Sequence, residues 1–246
     1  MTSETKAWAR RFAVNMRRKT LLAGVVAAAV MGAGFRDAPS PESAPLLGGR
    51  TIVIDPGHGG LDPGSLGLRT RECDLNLALA KRLAVWFRGA GAKVILTWSD
   101  PWQLPATRRL NVRQRVALIN GSRAEVLIDI HCNAGGAYRG PQTFYWGGQA
   151  SYTLAKMVQD ELQDFTHTRR RVSRINQYVL RYARMPAINV EVGFITNPSE
   201  EGKLMDPTYQ SQLTKRIFTG TERWFLHAPW PVSLHPEPTD MEMLRR

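Results

Sequence analysis

Strand-forming and helix-forming segments alternate along most of this 246-residue chain. Short apolar runs such as TIVID and AINVEV are typical of buried strands. Six segments are predicted strands: 51–55, 92–97, 125–131, 142–146, 177–180 and 187–192. Because strands that are separated by helices pair in parallel, the pattern predicts an α/β fold. We expect three layers, with a largely parallel central sheet flanked by helices.

Apolar residues recur at helical spacing between these strands. The clearest repeat runs through Leu75, Leu79, Leu83 and Phe87, and Gly89 follows it as a helix-ending residue. The predicted helices cover about 74–88, 112–120, 151–165 and 209–226. Residues 98–110 lack such a repeat, so they are predicted to form a loop.

The first 35 residues have the composition of an export segment. Lys and Arg are concentrated in 6–19, and the uncharged run LLAGVVAAAVMGAGF follows at 21–35. This order predicts a signal peptide or, if it is retained, an N-terminal membrane anchor that associates with the membrane through 21–35. The Arg17-Arg18 pair leaves twin-arginine export open beside the general route. A buried N-terminal helix is the alternative.

The remaining chain divides into three parts. Residues 36–49 contain several Pro and Gly and are predicted to be a linker. Residues 50–227 are predicted to form one globular domain, which is long enough for a well-buried core. Residues 228–246 are again rich in Pro and are predicted to be a loose tail.

The chain is basic, with a formal net charge of +12, and its export segment accounts for only part of this. The densest cluster is Arg169, Arg170, Arg171 and Arg174. A basic surface favours anionic partners such as a cell-wall polymer. No nucleic-acid motif accompanies the cluster, so nucleic acid is not an expected partner. A solvated basic loop is the alternative reading of the cluster.

Cys73 and Cys132 are the only two cysteines, too few for a disulfide scaffold. Each directly follows a candidate site residue. Because neighbouring side chains of a strand point to opposite faces, Cys132 should face the core if His131 faces a site. A disulfide between the two thiols stays open for an exported protein.

Four residues stand out as candidates for chemistry: His58, Glu72, His131 and Glu191. Each lies at a strand end, in a glycine-rich turn or at a helix start. Two neutral imidazoles and one carboxylate form a normal ligand set for catalytic zinc, and a further carboxylate can act as a general base. Strand ends that are far apart in sequence can converge on one edge of an α/β sheet.

Each candidate also has a structural alternative. His58 could be a turn histidine with satisfied hydrogen bonds, and Glu72 could be a carboxylate that stabilises a helix N-terminus. His131 ends a buried strand, where an imidazole needs a polar partner or a metal. Glu191 lies in the apolar strand AINVEVGF, where its alternative is a buried ion pair.

Five strings make the chain resemble the zinc-dependent N-acetylmuramoyl-L-alanine amidases of the third amidase type. They are IDPGHGGLDPGSLG, RECDLNLALAKRLA, RQRVALIN, IDIHCNA and MPAINVEVGFITNPSEEGKLMDPTYQ. The resemblance covers about 51–226. It implies that His58, Glu72 and His131 bind Zn²⁺ and that Glu191 is the catalytic carboxylate. Cys73 departs from the polar or charged residue that is usual there.

The resemblance also implies a substrate and a location. The substrate is peptidoglycan, cleaved between N-acetylmuramic acid and L-alanine (EC 3.5.1.28) outside the cytoplasm, at the cell wall or in the spore intermembrane space. ATRRLNVRQRVALIN and GPQTFYWG most resemble the germination-specific spore-cortex amidases, in which peptide removal precedes muramic δ-lactam formation. A vegetative amidase for cell separation and a non-catalytic wall-binding protein are the alternatives. Whether an activator protein is needed stays open.

Overall fold

The computed structural model describes residues 45–100 and 108–227, and they form a six-stranded sheet with helices on both faces. The strands are β1 (Thr51–Pro56), β2 (Lys93–Leu96), β3 (Val126–Asn133), β4 (Gln142–Tyr145), β5 (Ser173–Arg174) and β6 (Ala187–Phe194). The helices are α1 (Glu72–Gly89), α2 (Arg108–Gly121), α3 (Gln149–Thr166), α4 (Tyr178–Tyr182), α5 (Pro198–Met205) and α6 (Pro207–His227). The predicted three-layer α/β class is confirmed.

The strand order is β2-β1-β3-β6-β4-β5. Strands β2, β1, β3 and β6 are parallel, so their carboxyl ends lie at one edge of the sheet. Strand β4 pairs antiparallel with β6, and β5 then pairs parallel with β4. The sheet is therefore largely parallel, as predicted, with one antiparallel junction beside β6.

The two faces of the sheet carry separate apolar cores. Ile54, Ile128 and Val190 pack under α1, α3 and α6, which are the long helices of the larger core. The opposite face packs Val53 and Leu127 against the side chains of α2 and α4. These apolar residues are inaccessible to solvent. Their burial provides the main stabilisation of the three layers.

One predicted strand is wrong. Residues 177–180 were expected to be extended, but Tyr178–Tyr182 forms the short helix α4. Val179, Leu180 and Tyr182 are buried together against the second core, so tertiary packing decides the conformation of this apolar run. A short apolar run has too few residues for its periodicity to distinguish a helix from a strand.

Other differences are smaller. Helix α2 begins at Arg108, inside the predicted loop 98–110, and α5 and the two-residue β5 were not predicted. Of the predicted linker, 45–49 forms a turn in which Leu47 is buried and its N–H donates to the carbonyl of Ala90 at 2.9 Å. The predicted segment 1–35, most of the linker and the tail lie outside the described residues. The domain boundaries stay predictions.

Within the described part of the chain, no helix is both long enough and apolar enough to cross a membrane. The apolar run 21–35 that suggested an anchor falls outside that part.

Candidate functional site

The structure brings together His58, Glu72 and His131 at the carboxyl edge of β1 and β3. His58 follows β1 in a glycine-rich turn, Glu72 is the first residue of α1, and His131 lies near the end of β3. His58 Nε2 is 3.2 Å from Glu72 Oε1, and His131 Nδ1 is 3.0 Å from the same oxygen. One donor atom from each residue lies within 4.8 Å of the other two. The three side chains therefore surround one point.

Two of the three donor separations fit a tetrahedral metal centre. Ligand atoms at the usual zinc distances of about 2.0–2.1 Å are about 3.3 Å apart in a tetrahedron. The observed separations of 3.0 and 3.2 Å between the carboxylate oxygen and the two imidazole nitrogens are close to that value. The donor set, two imidazoles and one carboxylate, is one that zinc binds, and it leaves a coordination position open.

Glu72 is held in place by backbone donors as well as by the histidines. The N–H of Ser65 donates to Oε2 at 2.7 Å and that of Cys132 to Oε1 at 3.1 Å. Burial raises the pKa of Glu72, but hydrogen bonds and charge from His131 and His58 outweigh this and hold the pKa well below its usual value. The side chain is therefore a carboxylate, the form that binds a metal.

The nitrogens of the two histidines that face away from Glu72 each meet another carboxylate. His58 Nδ1 is 2.9 Å from Asp62 Oδ2, and His131 Nε2 is 3.3 Å from Asp129 Oδ1. Burial lowers the pKa of His131, but Asp129 and Glu72 outweigh this and raise its pKa well above the usual value. Such carboxylates orient metal-binding imidazoles and increase their basicity.

Asp129 belongs to a buried polar network under His131. Gln177 Nε2 donates to Asp129 Oδ2 at 3.0 Å, and Asn189 Nδ2 donates to Gln177 Oε1 at 3.0 Å. Sequence reasoning missed Asp62, Asp129 and Gln177. The available signal was spacing, because Asp129 lies two residues before His131 in one strand and therefore points to the same face.

Two glycines leave the space that the site residues fill. A Cβ on Gly57 would lie 2.3 Å from the ring of His131. A Cβ on Gly64 would lie 2.6 Å from Glu72 Oε2 and 2.7 Å from the ring of His58, and the φ of Gly64 is +68°. His58 itself has a left-handed φ of 62°. Glycine at 57 and 64 thus lets the turn approach the side chains of His131, Glu72 and His58 closely.

A buried ion pair stabilises the end of β1, from which the turn that carries His58 begins. Arg115 on α2 donates to Asp55 Oδ1 at 2.9 Å and to the Pro56 carbonyl at 2.8 Å. The indole N–H of Trp98 donates to the same carbonyl at 2.6 Å, and the Thr97 hydroxyl donates to Asp55. Asp55 and Arg115 are both buried, so they support the backbone that leads into the site.

Glu191 lies beside His131, on the neighbouring strand β6, where the two residues are direct partners in the parallel ladder. Burial raises the pKa of Glu191 to about 7; His131 opposes this, and the Glu72 and Asp129 carboxylates add to it. Among the described residues its Oε2 has no hydrogen-bond partner. A carboxyl group with a pKa near neutrality can both accept and return a proton.

The two cysteines are not part of the cluster. Both are free, buried thiols. Cys132 packs in the larger core, as its position after His131 predicted, and its Sγ lies 3.4 Å from Asn76 Oδ1. Burial raises the pKa of the Cys73 thiol to about 11, which keeps it protonated and disfavours it as a ligand.

Comparison with known proteins identifies the family. The profile of the N-acetylmuramoyl-L-alanine amidases, Amidase_3, matches residues 52–223. The chain is 39% identical over 202 residues to the germination-specific N-acetylmuramoyl-L-alanine amidase of Bacillus subtilis, an alignment covering 77% of this chain and 85% of the relative.

Solved structures agree with this assignment. The CwlD amidase of Clostridioides difficile, determined in complex with the GerS lipoprotein, matches with a TM-score of 0.68 and 35% identity, over 72% of this chain and 98% of that one. The catalytic domain of CwlV from Bacillus (Paenibacillus) polymyxa matches with a TM-score of 0.64 and 31% identity, over 72% and 98%. This chain therefore belongs to the N-acetylmuramoyl-L-alanine amidase family, whose members hydrolyse peptidoglycan.

Proposed function

We propose that this amidase is zinc-dependent and that His58, Glu72 and His131 hold the metal. The observation that carries the proposal is the single Glu72 oxygen that lies 3.0 and 3.2 Å from one nitrogen of each histidine. When bound there, zinc would lower the pKa of a coordinated water and polarise the substrate carbonyl. Asp62 and Asp129 would orient the two imidazoles.

Glu191 is proposed as the general base and acid. Its carboxylate takes a proton from the water that attacks the lactyl carbonyl of N-acetylmuramic acid. The same group then returns the proton to the amine of L-alanine as the amide bond breaks. The products are a glycan strand with a free lactyl carboxylate and a stem peptide with a free amino terminus. Support for the role comes from the position of Glu191 beside His131 and from its pKa of about 7.

The proposed biological substrate is the peptidoglycan of the spore cortex. Support comes from the relative named a germination-specific amidase, which this chain matches over most of both lengths. Removal of the stem peptide would expose muramic acid for conversion to muramic δ-lactam by a separate enzyme. The reaction would take place outside the cytoplasm, after export by the N-terminal segment or with that segment as an anchor. The C. difficile amidase solved with a lipoprotein supports a partner protein here as well.

One experiment tests the reaction and the metal together. Purified protein is incubated with peptidoglycan, the released peptides are identified by mass spectrometry, and metal content is measured in parallel. We expect free stem peptides beginning with L-alanine, loss of activity with a chelator, and recovery with Zn²⁺. Full zinc occupancy in a His131→Ala variant would overturn the ligand assignment. Equal rates on cortex and vegetative peptidoglycan would favour a role in cell separation instead.

A further inference from the structure

Arg170 belongs to the basic cluster that the sequence analysis singled out, and its guanidinium is fixed in one place. The centre of the guanidinium lies 4.5 Å from the ring of Phe194 and 5.4 Å from that of Tyr138. Its Nε donates to the carbonyl of Arg139 at 2.9 Å, and Nη1 donates to Gln142 Oε1 at 3.0 Å. Stacking and two hydrogen bonds hold the planar group before any ligand arrives.

These contacts place Arg170 on the rim of the proposed active site. Gln142, which binds Nη1, is the direct partner of Glu191 across the antiparallel β4–β6 pair. Direct partners point their side chains to the same face of a sheet. Phe194, over which the guanidinium stacks, ends the strand that carries Glu191. Arg170 therefore lies near β4, which is on one side of β6, whereas His131 lies on β3, which is on the other side.

Among the described residues, Arg170 also lacks the carboxylate partner that Arg115 and Arg216 have. Arg115 pairs with Asp55, and Arg216 pairs with Glu161. Within 45–100 and 108–227, Arg170 makes no ion pair with a carboxylate, and its Nη2 makes no hydrogen bond. A stacked guanidinium with unused donors is a site for a carboxylate from outside the chain.

Arg174 is the other arginine of the cluster that stacks on an aromatic ring, and it lies away from the proposed active site. The guanidinium of Arg174 lies 4.4 Å from the ring of Trp146, and its Nε donates to the Trp146 carbonyl. Trp146 follows Tyr145, which pairs with Ile188 at the start of β6, at the opposite end of that strand from Glu191. Of the two stacked arginines in this cluster, only Arg170 lies at the end of β6 that carries the site.

We propose that Arg170 binds a carboxylate of the stem peptide, specifically the α-carboxylate of the acidic residue that follows L-alanine. The inference rests on the proposed function, because it takes the scissile bond to lie between the three metal-competent residues and Glu191. An extended chain advances about 3.3–3.6 Å per residue, so this carboxylate lies within about 7 Å of the scissile nitrogen. Adjacent strands are about 4.8 Å apart, so the strand next to Glu191 lies within this reach.

The test compares two soluble muropeptides that differ at one group. In one, the second residue is glutamate with a free α-carboxylate; in the other, that carboxylate is a carboxamide. We expect the wild-type enzyme to have a KM about 10- to 100-fold lower for the free acid, the usual effect of a hydrogen bond to a charged group. The turnover number should differ little.

Variants then assign the preference to one residue. Arg170→Gln should abolish the difference between the two substrates by raising KM for the acid, and Arg170→Lys should retain part of it. Arg174→Gln is the matched control and should keep the wild-type preference. Thermal unfolding of each variant separates a folding defect from a binding defect. If Arg170→Gln does not fold, the comparison of the two substrates on the wild-type enzyme still decides the carboxylate requirement.

Three outcomes would overturn the inference. They are equal KM values for acid and amide on the wild-type enzyme, an unchanged preference in folded Arg170→Gln, and loss of the preference in Arg174→Gln. Failure of the proposed function looks different, because the zinc-loaded wild-type enzyme would then hydrolyse neither muropeptide.

Discussion

His131 and Glu191 are direct partners on the adjacent parallel strands β3 and β6, with their side chains on the same face of the sheet. A metal-competent imidazole and a carboxyl group are thereby held side by side by backbone hydrogen bonds. Such a scaffold can fix reacting groups more precisely than loops can.

Glu191→Gln should separate catalysis from metal binding. The change preserves shape and volume but removes the proton acceptor, so we expect the rate on peptidoglycan to fall by about 10²–10⁴-fold. Zinc content should stay at the wild-type level, because Glu191 is not one of the three proposed ligands. Metal analysis and an amidase assay on the same sample check this. A zinc-loaded variant with wild-type activity would show that another group is the base.

The metal-free protein should become less stable as Glu191 ionises. Its folded pKa of about 7 is above the usual 4.5, so the folded state holds this proton to higher pH than the unfolded state does. The contribution of Glu191 to stability therefore falls as pH rises from about 4.5 to about 7. Urea unfolding near pH 5 and near pH 8 measures this contribution to the free energy of unfolding. Glu191→Gln should remove this part of the pH dependence. Identical pH profiles for the two proteins would contradict the shifted pKa.

Gly57→Ala should damage the proposed metal site although it replaces none of the proposed ligands. The added methyl would lie 2.3 Å from the His131 ring, so the ring or the turn must move. We expect weaker zinc binding and lower activity. Gly121→Ala is the control, because a Cβ there meets no atom within 4 Å. Zinc titration of both variants tests this, and equal affinities would show that the turn adjusts freely.

Asp129→Asn should weaken zinc binding through His131. The carboxylate Oδ1 faces His131 Nε2 at 3.3 Å, and a neutral amide would orient the ring less well and make it a weaker donor. Loss of such an outer partner typically lowers metal affinity by about 10–100-fold. Competition with a chelator measures the affinity directly. Unchanged affinity in a folded variant would limit Asp129 to a structural role.

Glu201→Gln should loosen the loop between β1 and α1. The buried Glu201 carboxylate accepts the N–H groups of Arg69 at 2.7 Å and Thr70 at 3.1 Å. Burial raises its pKa, but these backbone N–H groups outweigh burial and lower the pKa below the usual 4.5. Its stabilising contribution is therefore present above about pH 4.5 and is lost as pH falls below that value.

We expect this substitution to lower the free energy of unfolding by about 1–3 kcal/mol near neutral pH. Asp74→Asn removes the exposed ion pair with Arg71 and serves as the control, with an expected cost below about 1 kcal/mol. Denaturant unfolding compares the two. A larger effect from Asp74→Asn would contradict the importance of the buried carboxylate.

The sequence predicted most of the sheet, and it singled out the three residues that the structure brings together and Glu191 beside them. Strands β1, β3 and β6 are strongly apolar, and α1 and α6 repeat apolar residues at helical spacing, so their type is a local property. Glu191 stood out because an acidic residue within an apolar strand needs a specific role. The comparisons confirm the family that these strings indicated.

Other features were decided only by the tertiary structure. The segment around Val179 is a helix because it packs against α2, and β4 runs antiparallel to β6, which local sequence does not specify. The partners Asp129 and Gln177, and the place of Arg170 beside Gln142, depend on strand order and register. Periodicity reports which residues are buried along one segment, whereas the contacts that orient His131 or bind a substrate join segments far apart in sequence. Those contacts exist only once the sheet has formed.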